Sequence, residues 1–364
     1  MNDVDHLFLE AAVEIAEQGR LTCSPNPPVG CVICKDGVVI GRGFHEKSGS
    51  PHAEINAVDT VAEGITGVRG STVYVSLEPC AFVGKTPSCA RSLSELGVER
   101  VVVAAIDPHP KVSGMGVKIL REAGIKVDVF ELGSASRLID GFHKRVKEGR
   151  PFVRLKTASS LDGATSLSDG SSHWITAKES REDVQYWRAR SDAVLTGLGT
   201  VLSDDPRLTV RSERYQKAQQ PIRVIFDSHA KTPASSNALD ESGLSLIVHS
   251  RSAEKQAKER FSDVDGVRCI GFEGDKPKVL EVLTLLADLG CNEVLVECGP
   301  RLIGSFLESG IWDEWLFYMA PKVLGNEANS LANIRISDVE SSGVGRVSEA
   351  VRLGPDLRLT LQPN

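Results

Sequence analysis

His52-Ala53-Glu54 together with Cys80 and Cys89 constrains this chain more than any other feature, because separate elements must bring these side chains to one point. Pro79-Cys80 begins 25 residues after Glu54, and eight residues separate Cys80 from Cys89. One His and two Cys supply three ligands to a tetrahedral zinc and leave the fourth position for water. Zinc lowers the pKa of that water, and a nearby carboxylate, here Glu54, can shuttle the released proton. Local pattern favours convergence. Ile55, Ala57, Val58, Val61 and Ala62 recur with a helical period, so His52 and Glu54 open a helix. Thr72 to Leu77 reads as a strand that Glu78-Pro79 ends. Taken singly, a His or a Cys is more often a structural filler. A Cys at a strand end and a His in a helix's first turn can meet.

The set also matches H-x-E…P-C-x-x-C, the pattern of zinc nucleobase deaminases, with a longer gap between the two Cys. Composition narrows the class further. At 364 residues the chain is long for one core and sufficient for two domains. Lys plus Arg is 42 against 49 Asp plus Glu, a net charge of −7, which argues against a nucleic-acid partner. No apolar run approaches the roughly 18 residues of a membrane span. Met1 to Glu10 lacks the basic cluster and apolar core of a signal peptide. The spacings of the eight Cys do not suggest a disulfide framework, so a reduced, cytoplasmic setting is expected.

Taken in order, Asp3 to Gly19 reads as a helix and Val29 to Cys34 with Val38 to Phe44 as a hairpin around Lys35-Asp36-Gly37. Cys31 and Cys34 would face opposite sides of their strand and act as apolar fillers rather than as a redox pair. Arg100 to Ile106 is a buried-type strand, Ser113 to Ala123 a helix and Ile125 to Phe130 a strand. This is an α/β domain with a mixed sheet. Ser134 to Lys147 reads as one connecting helix, and Gly149-Arg150-Pro151 breaks the chain. The expected domains are therefore 1–147 and 148–364.

The second half alternates again. Strands are expected at Phe152–Ala158, Ala193–Thr196, Ile222–Asp227, Ser245–His249, Glu293–Glu297 and Trp315–Met319. Helices are expected at Ala177–Ala189, Ala253–Arg260, Lys278–Leu289 and Arg301–Leu307. Val347 to Leu361 forms strand pairs around Gly354-Pro355-Asp356. Cys298-Gly299-Pro300 feeds a helix N-terminus, an anion site in principle, and Gly197-Leu198-Gly199-Thr200 reads as a second close-approach loop. No G-x-G-x-x-G occurs. Pattern alone reaches a ligand-binding α/β domain and stops there.

With both halves in view, the chain resembles the bifunctional riboflavin-biosynthesis deaminase/reductase family along nearly its whole length. The first half carries Asn26-Pro27, Val29-Gly30-Cys31-Val32-Ile33, His45, His52-Ala53-Glu54, Leu77-Glu78-Pro79-Cys80 and Gly84-Lys85-Thr86-Pro87. The second carries Leu155-Lys156, Ser160-Leu161-Asp162-Gly163, Trp174-Ile175-Thr176, Asp204-Asp205-Pro206, Leu208-Thr209-Val210-Arg211, Glu297-Cys298-Gly299-Pro300 and Ala320-Pro321-Lys322. The longer Cys80–Cys89 gap is usual in this family.

The resemblance implies a cytidine-deaminase-like N-terminal domain and a dihydrofolate-reductase-like C-terminal domain. His52, Cys80 and Cys89 would hold Zn2+ and Glu54 would move protons, with Asn26, His45, Lys85 and Asp107 around the pyrimidine. The substrate would be a diaminopyrimidinone ribosylamine phosphate. The second domain would use NADPH to reduce the ribosyl group. Ala158, Trp174, Thr200, Asp204, Ser228 and the turn Gly299, Pro300, Arg301, Leu302, Ile303, Gly304 and Ser305 would contact the cofactor. Ser172, Arg188, Leu208, Arg211 and Glu297 would contact the sugar phosphate, for which guanidinium groups offer paired donors. Association into homo-oligomers through the reductase domain is also implied.

The chain departs from the family's usual pattern at Ala81-Phe82-Val83, where Ser-His-His or Ser-His-Tyr is common, at Ser88 in place of Pro, and at His109 in place of Asn. A lost polar partner typically costs ~1–3 kcal/mol. Two readings follow: a working riboflavin enzyme that tolerates these changes, or a paralogue whose deaminase pocket takes another pyrimidine. A nucleic-acid base deaminase would share the zinc chemistry, but the acidic balance and the reductase-like half argue against it.

Overall fold

The computed structural model describes residues 2–82, 88–169, 174–240, 242–338, 343 and 345–364. Val83, Lys85 and Ser172 lie outside the described residues. The chain forms two compact units, Met1–Gly149 and Arg150–Asn364.

In the first unit the order is α1 (Asp3–Ala16), β1 (Gly30–Lys35), β2 (Val38–Phe44), α2 (Ala53–Asp59), α3 (Ile65–Val68), β3 (Thr72–Val75), α4 (Cys89–Leu96), β4 (Arg100–Val103), α5 (Met115–Glu122), β5 (Lys126–Val129), α6 (Gly133–Leu138) and α7 (Asp140–Glu148). The sheet runs β2-β1-β3-β4-β5. The β1 pairings are antiparallel and the β3-β4-β5 pairings parallel, which is the expected mixed sheet. One face of the sheet buries Cys31, Ile33, Val73 and Val101 under α2, α4 and α5. The other buries Val32, Cys34, Tyr74 and Val102 under α1, α6 and α7. Cys31 and Cys34 thus face opposite layers, as the period-2 alternation of a strand requires.

Glycines set the spacing between layers. A Cβ on Gly43 would stand 2.3 Å from the Ala57 nitrogen, and one on Gly41 2.5 Å from the Ala57 carbonyl. Helix α2, which carries Glu54, therefore rests directly on β2. The single helix expected over Ser134 to Lys147 is two, α6 and α7, separated at Ile139 (φ −109°, ψ 12°). Ala135, Leu138, Ile139 and Phe142, spaced i, i+3, i+4, i+7 as on one helix face, all reach the same core, so their spacing does not mark the break.

The second unit comprises β6 (Phe152–Ser159), β7 (Ala164–Ser166), α8 (Lys178–Arg190), β8 (Ala193–Gly197), α9 (Leu198–Asp204), β9 (Ile222–Phe226), α10 (Asn237–Asp240), β10 (Ser245–Ser250), α11 (Glu254–Phe261), β11 (Val267–Phe272), α12 (Val279–Asp288), β12 (Glu293–Glu297), α13 (Pro300–Ser309), β13 (Glu314–Met319), β14 (Asn329–Ser330), β15 (Arg346–Leu353) and β16 (Asp356–Gln362). Its large sheet runs β11-β10-β9-β8-β12-β6-β13-β16-β15. Pairing is parallel from β11 to β13 and antiparallel from β13 to β15. The glycine-containing segment after β8 is helical, where a close-approach loop was expected, and β11 was not anticipated. Among the described residues no helix is long and apolar enough to cross a membrane.

Candidate functional site

In the first unit, His52 stands in extended conformation as the N-cap of α2 and makes no side-chain capping bond. Its ring turns to the cysteines instead: Nδ1 lies 3.2 Å from Cys89 Sγ and 3.6 Å from Cys80 Sγ. The ligand atoms of all three residues fall within 4.8 Å of one another. Tetrahedral zinc with ordinary Zn–N and Zn–S bonds implies N···S and S···S edges of about 3.5–3.8 Å, so the donor set fits the ion.

Ser88 caps α4 by accepting from the Arg91 nitrogen and also donates to the Cys80 carbonyl at 2.9 Å. The Ala90 nitrogen donates to the same carbonyl. Residue 88 thus fastens the two cysteine segments together.

Hydrogen bonds couple the three donors electrostatically. A hydrogen bond from Cys89, helped by His52, holds the Cys80 thiol down at about 4. That same bond, with burial, pushes the Cys89 thiol well up, and the bond to Cys80 raises His52. Glu54 is 3% exposed. Burial, and then the charge of Cys80, push its carboxyl up, which suits a group that must take and return a proton.

His45 is buried with its ring edge-on to His52, the centroids 5.2 Å apart. Its Nδ1 donates to the Pro51 carbonyl, and Nε2 accepts from the Asn26 amide at 2.9 Å. Burial lowers its pKa and favours the neutral ring. Asp107 lies beyond β4, its carboxyl accepting from the His109 nitrogen at 2.7 Å. Burial, with the charges of Glu78 and Cys80, pushes Asp107 up to about 6. Phe82 and His109, both departures from the family pattern, bring their rings within 6.2 Å of each other.

In the second unit a cavity of about 320 Å³ opens beside the carboxyl ends of β6 and β12, where ligands of parallel sheets usually bind. Trp174, Arg188, Arg211 and Glu297 line it together with Lys156 and Tyr318. Glu297 takes two bonds from the Arg188 guanidinium, at 2.5 and 3.0 Å, and lies 3.7 Å from Lys156 Nζ. Burial alone would raise Glu297, but Arg188 and Lys156 outweigh it and hold the carboxyl at about 2. Burial lowers Lys156 against the pull of Glu297. Sequence reasoning gave Lys156 no role, although a lysine within a buried parallel strand is itself unusual.

Ala158, Thr200, Ser228 and Gly299 stand at or just past the carboxyl ends of β6, β8, β9 and β12. Gly197 and Gly299 bring the two turns together: a Cβ on Gly197 would lie 3.7 Å from Leu302, and one on Gly299 3.7 Å from Thr200. With the N-terminus of α13 this makes a cradle suited to a dinucleotide phosphate. Pro300 and Arg301 open that helix, and Asp204 closes α9. Ile303 is buried in the core, Gly304 lies against the Asn333 carbonyl and Ser305 bonds back to the Arg301 carbonyl. Leu208, left-handed at φ 58°, is a core residue and does not line the cavity.

A zinc deaminase centre and a pyridine-nucleotide reductase cradle on one polypeptide define a bifunctional deaminase/reductase. A family model for the cytidine and deoxycytidylate deaminase zinc-binding region matches residues 2–105, and one for the RibD C-terminal domain matches 151–342. The riboflavin biosynthesis protein RibD of Escherichia coli K12 is 37% identical over 372 residues, covering 98% of this chain and 99% of that protein. RibD of Acinetobacter baumannii superposes with a TM-score of 0.91 at 38% identity, and the deaminase/reductase of Thermotoga maritima with 0.89 at 32%, each covering 99% of both chains. The chain belongs to the RibD family of zinc- and NADPH-dependent riboflavin-biosynthesis enzymes.

Proposed function

We propose that residues 1–147 deaminate 2,5-diamino-6-ribosylamino-4(3H)-pyrimidinone 5′-phosphate and that residues 148–364 reduce the ribosyl group of the product to ribityl. The convergence of His52, Cys80 and Cys89 beside buried Glu54 carries this reading. These three residues would hold zinc, which when bound supplies an activated water. Glu54 would carry one proton from that water to the ring nitrogen and a second from the added hydroxyl to the amino group, which leaves as ammonia. The Asn26–His45 pair and Asp107 flank the pyrimidine.

In the second unit Arg188, Arg211 and Glu297 orient the sugar phosphate, with Ser172 completing the set. Trp174, Ala158, Thr200, Asp204, Ser228 and Gly299 to Ser305 place NADPH, whose own chemistry is hydride donation. Lys156 belongs to this site as well, beside Glu297 in register. The same reading has the chain acting in the cytoplasm and associating with copies of itself through its second unit, where edge strand β15 is largely exposed.

Ammonia release from the diaminopyrimidinone by zinc-loaded protein, followed by NADPH oxidation in the same cuvette, tests the proposal. Absence of both signals while zinc and NADPH are bound would refute it. That result would favour a different pyrimidine, a reading that draws on the Phe82–His109 pair.

A further inference from the structure

We infer that Glu78 is a positioning residue of the deaminase, setting where Cys80 and Asp107 stand relative to one another through backbone contacts alone. The inference rests on the zinc reading of the first unit. Glu78 is 3% exposed, and all its side-chain hydrogen bonds among the described residues come from backbone N–H groups. Oε2 accepts from Asp107 at 3.3 Å and from Gly114 at 2.9 Å, while Oε1 accepts from Val117 at 3.1 Å.

Gly114 is the N-cap of α5 and has no side chain with which to cap it. Helix N-termini leave donors without partners and favour a negative group. Glu78 supplies that group from two residues before Cys80. Gly116 completes the joint: a Cβ there would stand 2.0 Å from the Pro79 carbonyl, so α5 lies directly on the residue preceding the ligand. On its other side, the Cys80 carbonyl is held by Ala90 and Ser88 of the α4 segment. The ligand turn is therefore clamped between two helix N-termini. Glu78 is the group that also ties it to the Asp107 loop.

The test uses full-length E78Q and G116A loaded with Co2+ in place of zinc. Glutamine has the same size but one acceptor oxygen, so it gives up the bonds of one side. The added methyl of G116A pushes on Pro79 from the α5 side, where Glu78 is bonded. Both variants are expected to change the Co2+ ligand-field spectrum and to lose metal to a chelator roughly 10–100-fold more readily, with deaminase kcat/KM falling in the same range. The reductase rate serves as the internal control and should not change.

D5N provides a structural comparison. Asp5 is buried on the opposite face of the sheet, bonded to Arg100 and Tyr74, so its loss should lower the unit's melting temperature without moving the spectrum. A folded E78Q that melts lower, as D5N does, yet keeps the wild-type spectrum, metal retention and kcat/KM would overturn the inference. Should E78Q not fold, an unshifted spectrum in G116A would overturn it equally and a shifted one would support it. A wild-type chain that takes up neither Co2+ nor Zn2+ would bring down the zinc reading, and this inference with it.

Discussion

Replacing Glu297 with Gln should destabilise the second unit by an amount that can be worked out in two ways. The carboxyl drops from an ordinary 4.5 to about 2 in the fold. At ~1.4 kcal/mol per pKa unit, that is about 3 kcal/mol at neutral pH. Independently, removing one member of a buried ion pair costs about 3–5 kcal/mol, because the remaining charges are left without compensation. Here those charges are Arg188, bonded to Glu297 through two nitrogens, and Lys156 at 3.7 Å. For a unit of this size, about 3 kcal/mol corresponds to roughly 6–12 °C in melting temperature.

The pH dependence carries a second signature. A carboxylate depressed in the fold contributes fully above its unfolded pKa and loses its contribution as pH falls through the folded value. The gap between wild type and E297Q should therefore hold from neutral pH down to about 5, then shrink to roughly half by pH 3. Calorimetry of both proteins across that range checks it. Equal melting temperatures at pH 7, or a gap that persists undiminished at pH 3, would refute the charge-compensation argument.

Two further outcomes are expected. C80S should lose its zinc, measured by metal analysis, and its ammonia release, while NADPH oxidation with the deaminated intermediate is largely kept, because the described residues that line the reductase cavity all belong to the second unit. G43A places a methyl 2.3 Å from the Ala57 nitrogen, where backbone cannot yield. Chemical denaturation should show the first unit weakened by about 1–3 kcal/mol, and zinc should leave to a chelator faster, since α2 carries Glu54 and follows His52 directly.

The convergence of His52, Cys80 and Cys89 was legible because its signals are local. His52 and Glu54 head a segment whose apolar period announces a helix, and Cys80 follows a strand that proline ends. The hairpin and the parallel strands of the second unit were legible for the same reason. What escaped notice depends on contacts between distant segments. Gly41 and Gly43 look like ordinary strand glycines until α2 lies on them. Glu78 reads as a strand terminator, and its bonds to residues 107, 114 and 117 have no trace in local pattern. The glycines at 197 and 199 suggested a loop, but the segment is held as α9, with Val201 buried in the core beneath it. The break at Ile139 has no trace in local pattern, because Ala135, Leu138, Ile139 and Phe142 keep the i, i+3, i+4, i+7 spacing of one continuous helix face. The reductase residues were reached through family resemblance rather than spacing, and Lys156 emerged when β6 placed it beside Glu297.

Glu54 tests the account most directly. E54Q should bind about one zinc per chain, oxidise NADPH at the wild-type rate when given the deaminated intermediate, and release no ammonia from the diaminopyrimidinone. Ammonia release by zinc-loaded E54Q at a rate near wild type would contradict the assignment of Glu54 as the proton carrier, and with it the mechanism derived from this site.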